Sequence, residues 1–519
     1  MLWGKLQRKG LSSKVIKILQ SLYSSVNIRI GNSDGISDPI YITKGVLQGE
    51  ILSSILFSIF IANLEDFLLK KKYIRGVSIN HLVEILLLAY ADDIVILAES
   101  YIHMKRIIEA LYEYCVINKL SVNTKKTKVI IFRKGGRRHK QEEKKFMFGD
   151  SSVEIVKEYV YLGVTFSQTE SYESHTKKIV SKAKAACSST LALIHRIHAN
   201  SCKVYDDLFG ALVQSILLYG TEVYSLRHLD SVEKIQLGFF KKLMNLPQCT
   251  PSYAVRRELR LGQYSLLVFK QVIRWINKIL RMEDDRYPKI CFLRQLHLSQ
   301  YKSAQDNVNY NWVVLVKKMF FEPIDRLDLW NETTPGEITL QEPELLEKYK
   351  EYLSDMDGKK VAQSSSLIMY NWLQAENKVQ EYLKASIPLK ILKVTCQYKL
   401  ANSYYTRIIV DSRHYKISEG RYCNYCSEVI DVGHLTVSCR ELYYKRVGLK
   451  LPLLENVSLD IHTIFSLPID VRWRQHMVVR EQKRTHVFVC LYMIRRGGHE
   501  FSAKVYFYRQ VLIMLWILH

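Results

Sequence analysis

Apolar residues recur at three- and four-residue intervals over 2–23, 53–69 and 102–120, a spacing that predicts amphipathic helices. The first stretch is interrupted at Gly10. In the third, Ile107, Ile108, Leu111, Tyr114 and Cys115 share one face. β-Branched runs predict short strands over 26–30, 40–43 and 129–132, the first two flanking a turn at 31–38. Longer helical patterns follow at 172–199, 204–219, 230–246 and 262–282. Asp230 with Glu233 three residues on has capping-box spacing, and Pro247 stops that helix. Past residue 284 the pattern loosens. Helical stretches at 311–321 and 366–382 are separated by polar, acidic loops such as 331–344. Two apolar runs, 487–493 and 505–518, close the chain.

One run breaks its own pattern. Residues 82–98 are aliphatic except for Glu84, Tyr90 and the adjacent carboxylates of Asp92 and Asp93. The flanks 83–89 and 94–97 read as two buried strands with the acidic pair at the turn between them. At about 4 Å and an effective dielectric of about 20, two like charges repel by roughly 4 kcal/mol. A divalent cation is the usual agent that offsets such a repulsion. An Asp-Asp pair on an ordinary surface carries no such meaning, so the neighbouring blocks decide.

Those blocks occur in a fixed order. Gly45-Val46-Leu47-Gln48-Gly49-Glu50-Ile51-Leu52-Ser53 precedes a helix, and Tyr90-Ala91-Asp92-Asp93 follows it. Then come Leu120-Ser121-Val122-Asn123-Thr124-Lys125-Lys126-Thr127-Lys128 and Tyr159-Val160-Tyr161-Leu162-Gly163-Val164. The series resembles the palm of a reverse transcriptase of the non-LTR retrotransposon (LINE) type. Similarity continues through 217–223 and 239–247, so it covers most of 1–285 and a patch at 423–446. The resemblance implies an α+β fold: a partial polymerase palm, with a ferredoxin-like sheet and the Tyr-Ala-Asp-Asp hairpin, over 1–170. A helical thumb over 171–285 would follow, then a helical connector over 286–419, a zinc-knuckle-like element over 420–446 and a tail over 447–519.

It also assigns roles. Asp92 and Asp93 would hold Mg²⁺ (or Mn²⁺), and Lys126 would lie near the nucleotide phosphates. Gln48, Gly49, Tyr90, Ala91, Tyr161, Leu162 and Gly163 would contact nucleotide, template or primer, the last three as a primer grip. Gln48-Gly49 joins a two-sided hydrogen-bonding group to a residue without Cβ, which permits close backbone approach. Ser54 stands where the family has proline, and serine can start a helix by capping instead. Two-metal nucleotidyl transfer uses three carboxylates in this family. The third belongs to a strand that would precede Leu2-Trp3-Gly4-Lys5-Leu6. Asp34, Asp38 and Glu50 lack the strand context to replace it. The expectation is an N-terminally truncated RNA-directed DNA polymerase, inactive alone. The alternatives are a non-catalytic RNA- or DNA-binding remnant and a subunit completed by an upstream reverse-transcriptase fragment.

Charge supports a polyanionic partner, here an RNA template and DNA primer: the 519 residues carry a formal net charge of +24. Lys177, Lys178, Lys182 and Lys184 fall in the thumb-like region, where they either track a duplex backbone or form a wet face. The basic run 133–140 reads as a solvated loop, with phosphate contact or nuclear import as the sharper readings. No spanning helix or signal peptide is expected, since the terminal apolar run falls short of about 20 residues. The ten cysteines are mostly single, which suits an intracellular protein of the nucleus or a cytoplasmic ribonucleoprotein, not a secreted one. The exception is Cys423-x₂-Cys426-x₇-His434-x₄-Cys439, four ligands of the kind structural Zn²⁺ prefers. Mass spectrometry of the native protein is expected to find one zinc per chain, lost in Cys423→Ser. A folded, zinc-free protein would remove this site.

Overall fold

Leu6, Ile16, Leu19 and Leu56 draw the first three helices around one apolar cluster. They belong to a computed structural model that describes residues 1–24, 26–33, 35–41, 45, 50–79, 83–132, 145–169, 171–199, 201–299, 311–331, 335–367, 370, 383, 389–400, 406–410, 413–417, 476–482 and 486–492. Gln48, Gly49, the run 133–140, almost all of 368–382 and the Cys423–Cys439 element lie outside those residues. The chain divides into two units, Met1–Tyr172 with Met282–Asp306, and Glu173–Arg281 with Asn307–His519.

In the first unit the helices are α1 (Leu2–Arg8), α2 (Ser13–Ser24), α3 (Ile51–Ile61), α4 (Leu64–Leu69) and α5 (Tyr101–Asn118), with a further helix, Tyr287–Leu298, from its second segment. The break expected at Gly10 is there, with φ of +86°. The expected strands are present, those expected at 26–30 and 129–132 being shorter. β1 (Asn27–Ile28) pairs antiparallel with β4 (Ile40–Tyr41), and β2 (Gly31–Asn32) with β3 (Gly35–Ile36) inside the expected turn. The expected helix 53–69 is two helices, split at Ala62-Asn63. Its first begins at Ile51, so Ser54 lies inside the helix and does not cap it; Glu50 holds the N-cap position.

The split has a cause. The Lys5 ammonium donates to the Phe60 carbonyl at 2.6 Å, to Asn63 Oδ1 at 2.9 Å and to Asn118 Oδ1 at 3.0 Å. Phe60 holds one of the carbonyls that a helix C-terminus leaves without an intrahelical partner, where a cation is favourable. Tyr114 donates its hydroxyl to the same Asn63 oxygen at 2.9 Å. Burial lowers the Lys5 pKa and lifts that of Tyr114 to about 12. By length and composition Leu52–Leu69 would also pass for a membrane span, against the expectation of no spanning helix. Here it is interrupted at Ala62-Asn63, and Leu56, Leu64 and Leu68 are buried in cores.

Two clusters flank α5. Ile107, Ala110, Tyr114 and Cys115 pack with Leu64, Leu68, Ile74 and Leu86. Ile108 turns to Phe146 and Val153 of a sheet made by β9 (Lys128–Val129), β10 (Phe146–Phe148) and β11 (Ser151–Ile155), in the order β10-β11-β9. That is the largest sheet among the described residues. Strands of two to five residues pair locally there, and the ferredoxin-like sheet is not assembled among them.

The second unit is mostly helical, with Glu173–Arg196, Cys202–Phe209, Leu229–Leu243 and Tyr264–Leu280 near their expected places. The capping box is not formed. His228 occupies the N-cap position, and Glu233 instead accepts from the Tyr264 backbone N–H at 2.8 Å and pairs with Arg256. Arg256 also grips Asp357 through two 2.7 Å bonds. The loop expected at 331–344 is largely helix, Pro335–Ala362, whose Leu345, Tyr349 and Val361 are buried. Pro335 is its first residue, where a missing N–H costs nothing; the tertiary face outweighs Pro343 inside it.

Lys5→Met keeps the apolar stem and removes the ammonium. The acceptors on Phe60, Asn63 and Asn118 then lose a charged donor, a loss worth about 2–3 kcal/mol. The urea midpoint is expected to fall accordingly; an unchanged midpoint would remove this tie from the account.

Candidate functional site

The acidic pair sits on a two-stranded hairpin, β7 (Leu87–Tyr90) and β8 (Asp93–Ile96). The register pairs Leu87 with Ile96, Leu88 with Val95, Ala89 with Ile94 and Tyr90 with Asp93. Cross-strand partners share a face. Leu87, Ile94 and Ile96 pack on the α4–α5 cluster. Leu88 and Tyr90 are exposed on the other face, at 39% and 65%. Asp93 pairs with Tyr90 there, and Asp92 lies in the turn; both are exposed. The hairpin expected from the sequence is therefore formed, but its strands are not buried on both faces. Covering Leu88 and Tyr90 would take a second layer packed over that face, which a two-stranded hairpin does not itself supply.

The turn is Ala91-Asp92. Ala91 has φ of +53°, the left-handed conformation that glycine usually supplies at the first position of a two-residue connection. An L-residue there costs about 1–2 kcal/mol. The core under Leu87 and Ile94 holds the hairpin in this form despite that cost.

A second hairpin carries Tyr161. β12 (Glu158–Tyr161) pairs antiparallel with β13 (Val164–Ser167), and Leu162-Gly163 form the turn with φ of +46° and +79°. Both central residues at positive φ is the primed turn that matches strand twist. Burial raises the Tyr161 phenol pKa, and the charge of Asp93 raises it further. Tyr161 and Asp93 thus lie within electrostatic reach. This coupling joins two blocks far apart in sequence.

Lys126 is exposed on a turn that Asn123 organises. Its backbone N–H donates to the Asn123 carbonyl and to Asn123 Oδ1, both at 3.1 Å, and Thr127 Oγ1 donates to the same carbonyl at 3.0 Å. Leu120 and Val122, just before it, pack on the cluster that supports the hairpin. Glu50, near the start of α3, is taken by the Tyr23 hydroxyl and is not brought to the acidic pair by any described contact. Asp92 and Asp93 offer hard oxygen donors of the kind Mg²⁺ takes, on an exposed tip with room for water and phosphate oxygens. They fit as part of such a ligand set. Among the described residues no group of three His, Cys, Asp or Glu is placed to hold a metal.

With this geometry in view, residues 2–166 match the family model for reverse transcriptase (RNA-dependent DNA polymerase). Curated relatives agree. The RNA-directed DNA polymerase from mobile element jockey of Drosophila funebris is 22% identical over 304 residues, 57% of this chain and 31% of the relative. The retrovirus-related Pol polyprotein from a type-2 retrotransposable element of Drosophila melanogaster is 22% identical over 311 residues, 58% of this chain and 27% of the relative. A putative uncharacterized transposon-derived protein of Caenorhabditis elegans is 24% identical over 214 residues, 38% of this chain and 73% of the relative. The chain matches about a third or less of the length of the first two. It carries a reverse transcriptase domain, and that domain is of the non-LTR retrotransposon (LINE) type.

Ala91 gives a direct test of the tip. Ala91→Gly removes the left-handed strain and is expected to leave stability equal or higher by up to about 1 kcal/mol. Ala91→Val places a β-branched residue at positive φ and is expected to destabilise by at least about 1 kcal/mol. The opposite order in thermal melts would contradict the turn described here.

Proposed function

We propose that the tip of the β7–β8 hairpin is a site of template-directed nucleotidyl transfer, in which an RNA template directs extension of a DNA primer. The observation that supports it best is two exposed carboxylates on a strained turn, coupled to Tyr161 of the second hairpin, inside the stretch matched to the reverse transcriptase family. Asp92 and Asp93 would hold Mg²⁺, which when bound polarises phosphate oxygens and stabilises developing charge. Tyr90, the cross-strand partner of Asp93, and Tyr161, which feels its charge, would meet the primer end. Lys126 supplies a flexible positive charge for the phosphates of the nucleotide. Gln48 and Gly49 complete the template side of this reading. In the second unit, Lys177, Lys178, Lys182 and Lys184 are exposed along the helix Glu173–Arg196 and offer a basic face to a duplex.

A second reading has its own support. Two carboxylates, with no third acidic or imidazole group beside them among the described residues, are a thin ligand set. A chain with only these donors binds primer–template without extending it, because catalysis of this kind depends on positioning and electrostatic stabilisation.

Two measurements separate the readings. In the presence of primer–template and nucleotide, Mn²⁺ uptake followed by electron paramagnetic resonance is expected to weaken at least tenfold in Asp93→Asn. Uptake that is indifferent to Asp92 and Asp93 would overturn the assignment of the tip. Primer extension with Mg²⁺ or Mn²⁺ then decides activity. Little synthesis by the chain alone is expected, and template-dependent synthesis that vanishes in Asp92→Asn would show that these donors suffice.

A further inference from the structure

A third turn in the first unit carries the same backbone signature and sits away from the carboxylate tip. The Ile74 N–H donates to the Lys71 carbonyl at 3.3 Å, closing a turn in which Tyr73 holds the third position with φ of +72°. Glycine or asparagine normally fills that position. A bulky residue at positive φ is an outlier. Burial does not account for it, because Tyr73 is 60% exposed. The turn is also pinned. Ile74 is buried next to it, and a Cβ on Gly76 would stand 2.4 Å from the Ile85 carbonyl oxygen, so the chain runs hard against β6 (Glu84–Ile85). The backbone thus holds an aromatic ring out in solvent.

Two cations accompany that ring. Lys72 Nζ and the Arg106 guanidinium each lie 5.2 Å from its centroid, within cation–π range. Arg106 comes from α5, and its neighbour Lys105 pairs with Glu109 at 3.8 Å. Ile85 precedes the Ala91 turn by six residues, a reach of up to about 20 Å at about 3.3 Å per residue. Among the described contacts none joins Tyr73, Lys72 or Arg106 to Asp92 or Asp93.

We propose that Tyr73, Lys72 and Arg106 form a second seat for single-stranded nucleic acid, separate from the hairpin tip. One base stacks on the Tyr73 ring by displacing a cation from over it, and the ammonium and guanidinium swing to the flanking phosphates. Aromatic faces and basic groups in this combination bind single strands with little regard to sequence. The seat does not depend on nucleotidyl transfer at Asp92 and Asp93.

The test uses the full chain and fluorescein-labelled oligouridylate, with oligothymidylate as a second arm, in EDTA so that metal at the tip does not contribute. Tyr73→Ala is expected to weaken binding about 5- to 10-fold, and Tyr73→Phe to leave it within about twofold. Arg106→Ala is expected to weaken it and to reduce the salt slope by about one. Tyr73→Gly separates the ring from the fold: it removes the strained side chain, so it should bind as poorly as Tyr73→Ala while melting no lower than wild type. A 4-thiouridine strand should crosslink to the peptide containing Tyr73. Unchanged affinity in Tyr73→Ala and Tyr73→Gly, with crosslinks elsewhere, overturns the proposal. So does a result in which these variants lose binding to anionic lipid vesicles while their affinity for both oligonucleotides is unchanged.

Discussion

One ammonium group holds the first unit in register. Lys5 projects from a helix of seven residues, too short to be stable alone, and reaches the C-terminal end of α3 and the last turn of α5. Removing a lysine from water is costly unless its hydrogen bonds are replaced. Here the Phe60 carbonyl and the Asn63 and Asn118 amide oxygens replace them, with the Phe60 ring 4.3 Å from the nitrogen. The same contact satisfies a helix end that would otherwise be an orphan. It also orients Tyr114, which lies in the cluster beneath the β7–β8 hairpin. The position of the carboxylate tip therefore traces back, through α5, to a residue that makes no contact with it.

That dependence changes the electrostatic reading of Asp92 and Asp93. A repulsion of roughly 4 kcal/mol belongs to a partly buried pair; in open water it falls to about 1 kcal/mol at the same separation. Both carboxylates are exposed, so folding does not require a cation to neutralise them. What the fold does sustain is the left-handed Ala91 and the closeness of Tyr161. Strain and coupling, rather than charge repulsion in a core, are the features that set this tip apart from an ordinary acidic turn.

Elements with a strong period were readable from the sequence. Ile107, Ile108, Tyr114 and Cys115 are buried as the α5 pattern required, and Leu111 packs against the same cluster. The hairpin was readable because only a turn places two aspartates within so apolar a run. Its one-sided burial was not, since a continuous aliphatic run looks the same whether one face or two are covered. Glu233 misled for a related reason: capping-box spacing is local, while Arg256 and the Tyr264 N–H come from distant segments and win the carboxylate. The helix Pro335–Ala362 was hidden by its prolines, and Lys5 by looking like any surface lysine.

Backbone geometry gives the last step. Eight non-glycine residues have positive φ among the described residues. Lys119, His198, Asn245, Arg260 and Asp325 come just after helices, where the left-handed conformation is a common way to end one. That leaves Tyr73, Ala91 and Leu162. All three are in turns of the first unit, and Tyr73 and Leu162 are exposed by 60% and 39%. Strain of this kind persists only where the surroundings over-determine it, and it gathers at sites of function. Two of the three mark the hairpins that bring Asp93 and Tyr161 together. The third holds up an aromatic ring beside two cations, and the same physical argument that singles out the carboxylate tip singles out Tyr73 as well.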